Sequence, residues 1–207
     1  MLRNELRASV AHVGLALREP EEFALAWQRQ EKRYGLWVWA GLAGAAILGT
    51  LTYGMTLGLS AGAAAMFAKA LLLTIAAGLA WAIPLPALYI LHSFGGSRLR
   101  ASTTLLAALV TTSWGGLALI ASVPIGGFFS VAMPSLPIKP IAAAWVVLGV
   151  NLLVFAGVGV SMSDIFCRVV AKLEPERESQ PTWFLLLVGL IGAQLYYVFG
   201  LFPLPVA

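Results

Sequence analysis

The sequence predicts an all-α fold: a polytopic integral membrane helical bundle with five transmembrane helices, a cytoplasmic N-terminus and N-terminal amphipathic interfacial helices. Three observations carry this. Of the 207 residues, 60% are apolar and only 11% are charged, whereas a soluble domain carries about 25% charged residues to coat its surface. Five stretches reach the roughly 20 consecutive apolar residues that a helix needs to cross a bilayer core. Eleven of the 13 Lys and Arg residues fall in segments that five crossings place on one side of the membrane, the asymmetry that marks a cytoplasmic face.

Residues 1–35 form a cytoplasmic amphipathic segment ahead of the transmembrane domain, residues 36–207. Leu2, Leu6, Val10, Val13 and Leu17 recur at intervals of three and four, which lays one apolar stripe along a helix. This stripe either rests on the membrane or docks on a partner through Leu6, Val10, Val13 and Leu17. Pro20, followed by Glu21 and Glu22, reads as a fresh helix start, with Pro in the first turn and acids near the positive end of the dipole. The helix over 21–34 leads into the first span as an interfacial elbow. Trp27, Tyr34, Trp37 and Trp39 supply its aromatic belt.

The spans run over about 36–59, 67–91, 103–123, 141–162 and 182–201, and none contains Asp, Glu or Arg. Arg3, Arg7, Arg18, Arg29, Lys32 and Arg33 precede the first span. Arg98 and Arg100 follow the second, and Arg168, Lys172 and Arg177 follow the fourth. Only Lys69 and Lys139 lie on the opposite side, and all nine acidic residues share the basic side. The N-terminus is therefore placed inside and residues 202–207 outside, in a bacterial cytoplasmic membrane. Residues 2–18 alternate polar and apolar positions, unlike the short apolar core of a signal peptide.

The connections differ in kind. Residues 93–98 (Ser-Phe-Gly-Gly-Ser-Arg) form a tight turn between the second and third spans. Residues 124–140 hold four prolines, Gly126, Gly127 and a single charge, Lys139. They are expected to be irregular and to lie at the interface or fold back over the bundle. After the fourth span, Ile165, Phe166, Val169, Val170 and Leu173 extend an amphipathic helix into the last charged loop, with Asp164 and Arg168 at ion-pair spacing. No internal repeat of the secondary-transporter kind is present.

The candidate functional residues are few. No ionisable group lies at depth in any span, which argues against proton relays and ion paths. Asn151 and Gln194 are the strongest polar groups within the spans and read as interhelical hydrogen-bond glue rather than ligand contacts. Gly54 and Gly58, in a glycine-rich first span, suit close helix packing, either within the chain or between subunits. Pro84 and Pro86 remove two backbone donors and should kink the second span. Thr103, Thr104, Thr111, Thr112 and Ser113 either line a polar passage or bond their own backbone one turn earlier. His92, at the inner edge of the second span, is the single candidate for ligating a pigment or haem, and a second histidine at membrane depth is lacking. No cofactor is otherwise expected. No metal-type spacing, phosphate-binding loop or nucleophile elbow is present, so no enzyme activity is expected. Cys167 stands alone, without an activating neighbour.

The leading expectation is a non-catalytic subunit that scaffolds, anchors or stabilises a larger membrane complex. Its partners would be the lipid bilayer and other membrane subunits, with no nucleic acid. The alternative is a permease-type transport component for an uncharged or amphipathic substrate, with Pro84/Pro86 and the third-span hydroxyls as its working parts. A pigment- or haem-binding subunit using His92 stands third.

Overall fold

The computed structural model describes residues 2–29, 34–94, 96–176 and 183–202, and the side chains at these positions other than 2–8, 91, 92, 183 and 184. The described chain is helical throughout, with no strand among its residues. Helix α1 (Leu2–Arg18) and helix α2 (Pro20–Gln28) come first, and α2 opens on Pro20 with Glu21 and Glu22 in its first turn. Helix α3 (Leu36–Gly58) runs into a 3-10 turn, Leu59–Ala61. Gly62 then reverses the chain at φ +96°, a left-handed conformation that glycine adopts without strain. Helices α4 (Ala63–Ala82) and α5 (Pro84–Phe94) follow, then α6 (Ala101–Ser135), α7 (Pro140–Leu173) and α8 (Trp183–Val198).

Four helical segments are long and apolar enough to cross a membrane: Leu36–Ala61, Ala63–Ile90, Ala101–Ser135 and Pro140–Leu173. The second combines α4 and α5, and the helix is interrupted at Ile83, immediately before Pro84. Pro84 is fully buried and Pro86 exposed. The stretch read as a fifth span forms the shorter α8, whose 16 residues span roughly 24 Å at 1.5 Å per residue.

The segment 124–140 differs from expectation. Instead of an irregular connection, α6 continues to Ser135 with Pro124 and Pro134 inside it, and only residues 136–139 separate it from α7. A proline deletes one intrahelical donor, but in an apolar environment unwinding would leave several backbone groups unpaired, a larger cost. Gly126 permits the close crossing that holds this part of α6 in place: a Cβ there would come within 3.0–3.2 Å of the Tyr53 ring and hydroxyl and the Thr56 hydroxyl. Pro137 sits in the turn, and Pro140 occupies the first turn of α7, where a missing N–H costs nothing. At 35 and 34 residues, α6 and α7 are each roughly 50 Å long, well beyond a core of about 30 Å.

Helix α3 lies between α4 and α6. A Cβ at Gly49 would lie 2.1 Å from the Gly116 carbonyl oxygen, and one at Gly54 only 2.5 Å from the Ala70 Cα, so these backbones touch without intervening side chains. Helix α7 packs on α6, and α8 against α4 and α5. One apolar cluster joins Ala24 of α2, Leu99, and Ile165, Phe166, Val169, Val170 and Leu173 of α7, the amphipathic extension expected there. A second holds Phe23, Tyr34, Val38, Leu42, Leu106 and Val110. A third, at the other end, gathers Tyr53, Leu73, Ala76, Leu119, Val158 and Leu201.

Candidate functional site

Three charged segments, distant in sequence, converge at one end of the bundle. Glu21 of α2 meets Arg168 of α7 at 3.0 Å, Glu22 meets Lys172 at 3.0 Å, and Asp164 pairs with Arg168 one turn away at 3.1 Å. Glu174, just past α7, accepts hydrogen bonds from the Ser97 hydroxyl (2.8 Å) and the Arg98 N–H (2.9 Å). The Trp114 indole N–H of α6 donates to the Leu17 carbonyl at 2.9 Å. Tyr34 is buried, stacks on Phe23 at 4.1 Å and donates its hydroxyl to the Phe23 carbonyl at 3.0 Å. Burial pushes its phenol pKa up from the usual value, since the apolar surroundings disfavour the phenolate. The N-terminal helices are thereby fastened to the ends of α6 and α7.

The opposite, charge-poor end is open. A cavity of about 370 Å³ lies between the end of α3, the last turns of α6, the first turns of α7 and Phe202. Leu57, Met133, Ile138, Val147, Leu148 and Leu201 provide its apolar wall, and Ser60, Ser130 and Asn151 its polar side chains; no charged residue among the described ones lines it. Asn151 is 3% exposed. Its Oδ1 accepts the Tyr53 hydroxyl at 2.7 Å and its Nδ2 donates to the Val147 carbonyl at 2.8 Å, which leaves one amide N–H in excess. Thr56 donates to the Tyr53 carbonyl at 2.7 Å. Tyr53 packs edge-on against Phe155, which in turn meets Tyr196 and Phe202, so an aromatic group adjoins the polar bridge. The Lys69 ammonium donates to the Gly200 carbonyl and ties the chain beyond α8 to α4.

Three hydroxyls of α6, those of Ser102, Thr103 and Ser130, bond no described residue, and of these Ser130 is the one at the cavity. It is 5% exposed, lines the cavity, and makes no hydrogen bond to any described residue. A helical serine ordinarily bonds a carbonyl one turn earlier, as Ser122 and Ser135 do at 2.8 Å. Pro134, which also lines the cavity, has no N–H to offer the Ser130 carbonyl in the i→i−4 pattern. One residue therefore brings an unpartnered hydroxyl and a carbonyl deprived of its helical donor to the same place.

The other sequence-derived candidates distribute as follows. Gly54 and Gly58 back onto Ala70 and Ala65 of α4, inside the chain. Gln194 is exposed on α8. Thr104, Thr111, Thr112 and Ser113 bond carbonyls of their own helix, and Ser113 also reaches the Leu42 carbonyl at 2.8 Å, so these groups line no passage. Trp27 stacks on Tyr34 and meets Trp39 edge-on, while Trp37 is exposed. Along the N-terminal stripe, Val13 packs with the Phe23–Tyr34 cluster and Val10 is exposed. The carbonyl of Leu17 takes Trp114, and the side chain of Leu6 lies outside the described residues, as does that of His92. Among the described residues, no group of His, Cys, Asp and Glu is placed to hold a metal.

Sequence reasoning overlooked Tyr53 and Ser130. The signal for Ser130 was its spacing from Pro134, which acquires meaning only when residues 124–135 are helical. No known protein family, curated protein or solved structure matches this chain.

Proposed function

We propose that this chain is a non-catalytic membrane protein of permease type, which receives an uncharged or amphipathic small molecule at its charge-poor end. The observation that carries the reading is the cavity there: about 370 Å³, within the range of small-molecule pockets, walled by apolar side chains and furnished with a few polar groups. The scaffold reading stands second. Of the features that suggested it, Val13 of the N-terminal stripe and four of the glycines of α3 are engaged within the chain, while Val10 is exposed. It retains one support, the open surface of α7 around Gly149 and Gly157, where an added Cβ would meet no neighbour.

In this reading the chain crosses the membrane five times, with its charge-rich end in the bacterial cytoplasm. Two arguments support it. Leu185 and Val188, early in α8, pack with Leu173 and Phe166 near the charged end, whereas Leu201 and Phe202 beyond its end line the opposite cavity, which fits a helix directed from one end toward the other. The ion-paired segments also carry the basic excess expected of an inner face.

The test is transbilayer movement of a fluorescent monoacylglycerol in liposomes containing the purified chain. Movement faster than in protein-free liposomes is the expected result; equal rates would remove the permease reading. Stoichiometric co-purification of other membrane proteins after gentle extraction would favour the subunit reading.

A further inference from the structure

We infer that the cavity at the charge-poor end binds a neutral amphiphile through a head group that both donates and accepts hydrogen bonds, a hydroxyl or a primary amide, gripped by Ser130 and Asn151. The inference rests on the small-molecule reading above and names the chemistry of that site.

Three polar functions meet the cavity unused or partly used. The Ser130 hydroxyl opens on the cavity and bonds no described residue, the Ser130 carbonyl lacks its helical donor because residue 134 is proline, and Asn151 retains an amide N–H beyond its bond to Val147. Buried polar groups are ordinarily paired, so a group left unpaired at a cavity wall marks where a ligand's polar end belongs. Together these functions supply donors and acceptors, which a hydroxyl or amide satisfies in both directions. An ester or ketone would leave the carbonyl unanswered. The described lining is uncharged, which disfavours an ionised head, whose desolvation is costly. The apolar wall, Leu57, Met133, Val147 and Leu148, takes the hydrocarbon part.

Because Asn151 also holds Tyr53, its replacement would disturb the fold, and Ser130 is the better probe. The experiment uses the full chain in nanodiscs and a monoacylglycerol with a diazirine in its acyl chain. Photolabelling is expected on peptides from the end of α6 and the start of α7, to be displaced by unlabelled monododecanoylglycerol or 1-dodecanol and not by dodecane or dodecanoate. Ser130→Ala should weaken labelling about three- to tenfold, the effect of one lost hydrogen bond, with an unchanged melting temperature. Ser130→Phe should abolish it by filling the cavity. Displacement by dodecane as effective as by dodecanol, or labelling indifferent to both substitutions, would overturn the inference. Saturable labelling without any transbilayer movement in liposomes would remove the permease reading and leave the site standing. Movement with labelling that ignores Ser130 would do the reverse.

Discussion

At the charge-rich end, Arg168 and Lys172 meet Glu21, Asp164 and Glu22 at 3.0–3.1 Å; at the charge-poor end, Ser130 faces a cavity with no partner. Both ends use α7, and both belong to one bundle. At the first end Arg168, Lys172, the Trp114 indole and the buried Tyr34 phenol find partners within the chain, while the buried Gln28 Oε1 of α2 has none among the described residues. The second leaves polar groups unanswered at a cavity wall.

Substitutions that separate the two ends sharpen this contrast. The largest expected effect is at the closed end: Phe23→Ala empties a fully buried, stacked site and should cost about 3–5 kcal/mol, read as early protease cleavage between α1 and α3 and a lower melting temperature in detergent. Tyr53→Phe comes next, at the floor of the open end. It strips the buried Asn151 Oδ1 of its donor and should cost about 1–3 kcal/mol. A melting temperature equal to the native protein's would show that Asn151 repairs the loss through the cavity. Arg168→Gln removes two ion pairs whose side chains are half exposed, so less than about 1 kcal/mol is expected. That difference should fade as salt rises toward 1 M, where charges are screened within about 3 Å. Ser130→Ala should change stability least, within about 0.5 kcal/mol, because the hydroxyl bonds no described residue. If it proves strongly destabilising, the two ends are not different in kind.

Some of this architecture follows directly from local pattern. The start of α2 at Pro20, the interruption before Pro84, and the amphipathic run Ile165–Leu173 all depend on neighbours within a turn or two, as does the Asp164–Arg168 pair. Such features are written in spacing alone. Other features were beyond it. The pairing of Glu21 with Arg168 joins residues far apart in sequence, and no periodicity announces it. The continuation of α6 through Pro124 went against a local signal, because proline's lost donor counts for less than the backbone pairing that an apolar setting demands. The site inherited that difficulty: Asn151 stood out as a buried amide, whereas Ser130 looked like one more loop hydroxyl until the helix around it was in place.

Helix α7 has one further consequence. Asn151 at the cavity and Arg168 at the ion pairs sit on the same uninterrupted helix, roughly 25 Å apart at 1.5 Å per residue. Near the middle of that length Val158 packs into the Tyr53 cluster, much as a fulcrum carries a beam. The cavity and the ion pairs thus share one continuous helix, so a substitution at either end is borne by the same backbone.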